Sequence, residues 1–396
     1  MKPILLFSLM MLIMISFSAA EDSTVEPPDE WVDDETGHRI VRLSVREGSN
    51  SSFYFHQNPF TASGDKMVFA GTTSEGRRLF TIQFESGVVE QITDRDSTFE
   101  IVGPKSRKVF YQSNDVVYST HLDTKETIEI TRLPKEWHSG RGFGLNSTET
   151  LLVGCYAEGE EAFYERPRTE WFVAIYEAKL PNTIYTVDTV TGEITEVHSE
   201  NQWLGHVQFS PADPGLIMFC HEGPWERVDR IWTVRTDGSG LTLRHKRTQE
   251  REIAGHEFWG PDGEWIWFDL QQPAWQNIFL AGVHLESGEL RKFPLEPAQW
   301  SYHYNINRDG TLFCGDGGEN LPRGEEEKNK WIYLYRPIED RLEVTRLVNM
   351  INHDYRALEP NVMFTPDSKW VVFRSNMHGI SHVYAVEVTR DKSNSD

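Results

Sequence analysis

The sequence predicts an all-β fold, a seven-bladed β-propeller closed by an N-terminal strand in its last blade. Two observations carry that prediction. An inner-turn motif recurs as Thr61-Ala62-Ser63-Gly64, Ser210-Pro211-Ala212-Asp213, Gly260-Pro261-Asp262-Gly263, Asn307-Arg308-Asp309-Gly310 and Thr365-Pro366-Asp367-Ser368. A short apolar strand follows each of these turns, such as Lys66 to Phe69, Leu216 to Phe219, Glu264 to Phe268 or Trp370 to Phe373. Outer turns, including Glu85-Ser86-Gly87, Thr236-Asp237-Gly238 and Glu286-Ser287-Gly288, complete each unit. Turn residues at these offsets between β-branched and aromatic runs mark hairpins. Four strands repeating every roughly 40 to 50 residues are a propeller pattern.

The expected units are 53–94, 97–133, 138–198, 203–247, 254–294, 300–347 and 357–390. The spare strand His38 to Leu43 is left to complete the last blade, which joins the chain ends and removes an exposed sheet edge. Helical periodicity is nowhere sustained. Units three and six are long, and the stretches Ala157 to Lys179 and Gly317 to Lys330 are expected to be surface insertions.

Residues 1–20 read as a secretory signal: Lys2, an apolar run from Ile4 to Phe17, then Ser18-Ala19-Ala20. Residues 21–37 are acidic and poor in apolar groups, so a flexible leader is expected there, with the propeller over 38–390 and a flexible tail at 391–396. No other stretch approaches the roughly 20 apolar residues of a membrane span. The expectation is an exported protein, periplasmic or secreted. Cys155, Cys220 and Cys314 are odd in number and widely spaced, and read as small buried hydrophobes. A net charge of −22 argues against nucleic acid as a partner. It does not exclude an anionic substrate, because a cleft focuses its own local field.

Titratable groups crowd one region. Gly205-His206, Phe219-Cys220-His221-Glu222-Gly223-Pro224, Val228-Asp229-Arg230 and Gly255-His256-Glu257-Phe258-Trp259 bring histidines and an arginine into neighbouring repeats, which points to an anionic ligand. These segments, with Trp203-Leu204 before His206 and Pro261-Asp262-Gly263 after Trp259, resemble the oligogalacturonate lyases, propeller enzymes of pectin breakdown. The resemblance runs from about His38 to Val388 and is strongest in blades four and five.

The resemblance implies β-elimination on a short, acidic, uronate-containing oligosaccharide. A base removes the proton at C5, the glycosidic oxygen departs from C4, and an unsaturated sugar remains. It places His256 at the base and Arg230 at an assisting arginine. A histidine suits the task because its pKa lies near neutrality, and an arginine grips or stabilises a carboxylate. The alternative for His256 is a strand-end residue bonded to a backbone carbonyl.

The resemblance also implies a divalent metal, usually manganese, beside the substrate carboxylate. His303 matches the first ligand. The family's Gln-x-x-His-x-His run is replaced here, with Arg356 at the glutamine and Glu359 and Asn361 at the two histidines. Oxygen donors favour harder cations such as Ca²⁺, Mg²⁺ or Mn²⁺. Three outcomes stay open: His303, Glu359 and Asn361 hold such a cation; Arg356 neutralises the carboxylate without one; or Glu359 pairs with Arg356 and the site is inert.

His206, His221 and Arg141 are further candidates for substrate binding, against the alternative that they satisfy backbone groups or lie in solvated loops. His353 is a spare ligand candidate. Trp225, Trp259 and Trp300 are candidates for sugar stacking, although packing is the default in a chain with 13 tryptophans. A non-catalytic propeller of the TolB type, binding a saccharide or protein, is the rival reading. A hydrolase reading lacks a Gly-x-Ser-x-Gly motif.

Overall fold

The computed structural model describes residues 26–135, 137, 142–318 and 330–390. Seven antiparallel sheets follow one another along the chain, six of four strands and one of five. Their first strands are Asn50–Ser51, Thr98–Gly103, Gly144–Leu145, Leu204–Phe209, Ile253–Trp259, Tyr304–Ile306 and Met363–Phe364. These segments ring one axis, since a single cavity is lined by His56, Val102, Phe143, Gln208, Phe258 and Asn305, one residue from each of blades one to six.

Second strands such as Leu151–Ala157 and Trp265–Gln271 are buried along almost their whole length. A blade is covered on both faces by its neighbours, so its middle strands have no solvent face to keep polar. Met218 and Ile231 of blade four accordingly share a core with Ile266 and Phe268 of blade five. The inner turns bend as their residues predict. Gly64, Gly263, Gly310 and Ser368 close four of them with φ between 60° and 73°, the left-handed region that favours glycine.

Closure is as expected. Arg39–Arg42 pairs with His382–Glu387 through Ile40↔Val386 and Arg42↔Tyr384. The leader is shorter than expected, however. Glu30–Val32 pairs with Arg39–Arg42 as a fifth strand, Trp31 opposite Ile40. Polar composition hid this strand, but the Trp31 ring packs edge-on against Tyr384 at 5.6 Å, and Asp33 accepts the Asn349 N–H at 2.8 Å. The expected signal over 1–20, the tail and most of the second insertion lie outside the described residues.

The first insertion also departs from an all-strand reading. It holds a short 3-10 turn, Glu160–Phe163, and a helix α1, Arg168–Ala178, opened by Pro167 and ended by left-handed Lys179. Proline is well placed just before a helix because the first N–H groups have no partner there. Apolar residues lie all round α1, from Trp171 to Tyr176, so no one-sided stripe marks it in the sequence.

One buried acid gives the fold a pH signature. Asp269, in the second strand of blade five, is 2% exposed and accepts from Gln271 Nε2 and Trp300 Nε1, each at 3.0 Å. Burial outweighs both donors and pushes its pKa up to about 7. The folded chain therefore keeps a proton that the unfolded chain releases near pH 4. Stability is lost as pH rises from there through about 7. Asp269→Asn removes the charging step, so its stability relative to wild type should improve by on the order of 2–4 kcal/mol between pH 5 and pH 8. Denaturant midpoints at the two pH values check this; equal differences at both would show that Asp269 does not titrate there.

Candidate active site

The site is built from one local device repeated in several blades. In blades two, four and five the pairing of the first and second strands slips between Thr98 and Ile101, Gly205 and Gln208, and Gly255 and Phe258. Each slip is a bulge holding a left-handed residue: Phe99 at φ 59°, His206 at 50° and His256 at 52°. Asn361, at φ 53°, holds the matching place in blade seven. All four stand five residues before a proline, Pro104, Pro211, Pro261 or Pro366. A bulge re-aims its side chain, and a non-glycine left-handed residue carries strain that the surrounding packing must hold. Blades four and five thus bring His206 and His256 to the axis.

His256 makes no hydrogen bond among the described residues, and its buried Nδ1 is without a partner. The backbone-bonded alternative for this histidine is therefore not what the fold builds. Its ring lies 4.7 Å from that of His303 and 5.6 Å, edge-on, from that of Trp225. Burial first, then His303 and the Arg230 charge, holds its pKa well below the usual histidine range. His256 is a neutral imidazole at neutral pH.

Arg230 is 2% exposed and locked between two glutamates. Its Nε donates to Glu257 Oε2 at 2.7 Å and its Nη1 donates to Glu222 Oε1. Burial opposes the charge, but the Glu222 and Glu257 carboxylates outweigh it and hold the guanidinium protonated. Glu257 is fully buried, and its Oε1 has no hydrogen bond. His206 Nε2 stands 3.6 Å from Glu222 Oε1, and its ring meets those of Tyr54 and His56 at 5.5 and 5.9 Å.

His303 is buried, its Nδ1 2.7 Å and its N–H 2.9 Å from the two oxygens of Asp316. A carboxylate on Nδ1 fixes that proton and leaves Nε2 a lone-pair donor, an arrangement common behind metal-ligating histidines. His303 Nε2 is buried with no hydrogen bond and lies 3.9 Å from Glu359 Oε2. These two donors fit a divalent cation that accepts nitrogen and oxygen.

Four expected site residues are not brought there. Asn361 Oδ1 accepts the Phe55 N–H at 3.1 Å and its Nδ2 donates to the Glu359 carbonyl at 3.2 Å, so its amide latches blade seven to blade one rather than presenting a ligand. Arg356 is exposed on the turn after His353 and is not among the described residues that line the cavity. His221 points away from the axis, its Nε2 2.8 Å from Glu200 Oε1 and its ring stacked on Trp232 at 4.8 Å. Alternation along the strand explains this, since the neighbouring Cys220 and the Glu222 beyond face Arg230. His353 is held through both nitrogens by Ser375 Oγ and the Leu358 carbonyl, at 2.9 and 2.8 Å. Arg141 lies outside the described residues.

His206, Cys220 and Glu222 also bring three possible donor atoms within 4.8 Å of one another. A cation is opposed there, because the Arg230 guanidinium already bonds Glu222 and burial pushes the Cys220 thiol pKa up, keeping it protonated.

Beside this cluster lies a cavity of about 620 Å³ whose wall includes Tyr54, His206, Glu222, Arg77 and Arg374. Its far side is aromatic: Tyr164, Trp171 and Phe172 come from the first insertion and Trp203 from blade four. Phe172 and Trp203 meet edge-on at 5.0 Å. Aromatic walls offer flat apolar area to sugar rings, and acidic oligosaccharides also need cations. Sequence reasoning left Tyr54, His56, Arg77, Asp316 and Arg374 without a role. The position five residues before the recurrent proline would have aligned His206 with His256, but no sequence signal distinguishes Arg374.

The family model described as "Oligogalacturonate lyase" matches residues 28–392. The oligogalacturonate lyase of Dickeya dadantii (strain 3937) is 29% identical over 379 residues, covering 90% of this chain and 95% of that protein. A solved oligogalacturonate lyase in complex with manganese superposes with a TM-score of 0.80 at 28% identity, covering 91% of this chain and 96% of that one. The structure of oligogalacturonate lyase from Vibrio parahaemolyticus gives 0.81 at 27% identity, with the same two coverages of 91% and 96%.

Proposed function

The chain belongs to the oligogalacturonate lyase family, and from that premise we propose that it cleaves short uronate-containing oligosaccharides by β-elimination. The observation that carries this reading is His256: a neutral imidazole in a strained bulge, without a hydrogen bond, beside a fixed cation. A structural histidine is satisfied by the fold, whereas this one has its basic nitrogen unengaged. In the reaction the C5–H bond breaks and the proton passes to His256. The electron pair forms the C4–C5 double bond, and the C4–O bond breaks with its pair leaving on oxygen. Arg230 supplies a permanent positive charge near the anion that develops.

His303 and Glu359 would hold a divalent cation, manganese being the ion named in the solved relative. Such a cation supplies charge withdrawal from a uronate carboxylate. Asp316 orients its histidine ligand. Asp316→Asn is expected to weaken Mn²⁺ binding by about 10–100-fold, as measured by titration calorimetry on the purified protein. Unchanged affinity would place the cation elsewhere.

The reaction is tested by the ultraviolet absorbance of the conjugated product when the protein is incubated with galacturonate di- and trisaccharides, with and without chelator. Residues 1–20 carry the further proposal that the protein acts in the periplasm or outside the cell, and fractionation of cells expressing the full chain tests it.

A further inference from the structure

A uronate oligosaccharide carries one carboxylate per sugar, and the site described so far addresses one of them. Among the described residues, the cavity wall holds two arginines. Arg77 is neutralised by Glu100, with Nη1 3.1 Å from Oε2 and Nη2 on Oε1. Arg374, in the second strand of blade seven, has no carboxylate within ion-pair distance among the described residues. Its Nε donates to the Glu359 carbonyl at 2.7 Å, and its Nη1 donates to Ser51 Oγ at 2.7 Å and to the Ser52 carbonyl at 3.0 Å. All three acceptors are neutral, and Nη2 makes no hydrogen bond among the described residues.

A guanidinium partly withdrawn from water without a counter-charge is unfavourable unless a partner compensates it. Burial pulls the Arg374 pKa below its usual value, with Glu359 only partly offsetting the effect. The three bonds fix the plane of the fork, so the remaining nitrogen is pre-organised for a partner. Through the Glu359 backbone, Arg374 is also joined to the pair formed by Glu359 and His303. It therefore stands between the cavity and that pair.

We propose that Arg374 is a carboxylate-recognition subsite, distinct from Arg230 and from the His303 and Glu359 pair, which binds a second uronate carboxylate of the same saccharide. This rests on the uronate reading of the cavity. The site selects acids over esters: a methyl-esterified sugar offers no charge to Arg374.

The test measures binding, in a His256→Ala background, of trigalacturonate and of its fully methyl-esterified form, by calorimetry. Arg374→Gln should weaken the acid by about ten- to a hundredfold and leave the ester within a few fold. Arg374→Lys, which keeps the charge but loses the fork, should fall between. Equal losses for acid and ester in both variants would mean that Arg374 only ties blade seven to blade one, and would overturn the proposal. So would unchanged acid binding, or failure of the parent protein to bind either saccharide. Selective loss of the acid, in a protein whose native form yields no unsaturated product, would sustain the subsite and refute the lyase reading instead. Thermal melting of each variant identifies a folding defect, and the lysine form decides the question if glutamine is not tolerated.

Discussion

His256→Ala should reduce formation of unsaturated product from galacturonate oligosaccharides by at least about 10²–10⁴-fold, the usual contribution of a positioned general base. Saccharide affinity should change little, because the loss falls on the proton-transfer step rather than on the cavity wall. His256 has no structural bond to lose, so its removal should also leave folding nearly intact. That combination separates an enzyme from a saccharide-binding propeller, for which neither parent nor variant would release product. A pH profile adds a second check. The base works when neutral, and burial, His303 and Arg230 together hold its pKa well below the usual histidine range. Its activity should therefore persist at pH values where an ordinary histidine is already charged, and fall only below them. A decline centred at the ordinary histidine value, or wild-type rates in the alanine variant, would remove His256 from the mechanism.

The blades were legible because each turn is a local event. Pro261-Asp262-Gly263 and Asn307-Arg308-Asp309-Gly310 announce a bend from their own residues, and the propeller repeats that bend at a readable interval. Closure by residues 38–43 followed from the need to hide an edge. Trp31 was missed because one tryptophan in an acidic stretch has no pattern, and its partners, Tyr384 and His378, lie at the other end of the chain. Helix α1 was missed for the opposite reason, being apolar on every side.

The site was legible only in part. His256, His303 and Glu359 meet because family spacing encodes which blade each comes from. Direction within a strand is harder to read. His221 and Glu222 are adjacent in sequence, yet one faces Glu200 and the other Arg230. Asn361 occupies a position that matches a ligand in register, but its amide is bound to two backbone groups that only the closed ring brings near it. Arg356 and Arg374 show the same limit. Both are arginines of blade seven, and burial, not sequence, decides which one lines the cavity.

Removing Arg230 should produce the largest loss of stability, and the reason separates structure from catalysis. Glu257 is fully buried and Glu222 nearly so, with side-chain exposures of 0% and 11%. Arg230 bonds both. Arg230→Met leaves two carboxylates facing each other without it, and breaking a buried pair in this way costs about 3–5 kcal/mol. The variant should unfold at markedly lower denaturant concentration and show no lyase activity, a result that by itself assigns nothing. Adding Glu222→Gln and Glu257→Gln removes the two carboxylates that Arg230 bonds. The triple variant should recover part of the stability, since two buried amides cost less than two buried carboxylates without their cation. Its activity should remain absent, because the positive charge beside the developing anion is still missing. A stable triple variant that cleaves galacturonides at near the parent rate would show that Arg230 serves the fold alone, and the charge stabilisation would then have to come from Arg374 or from a cation that His303 and Glu359 would hold.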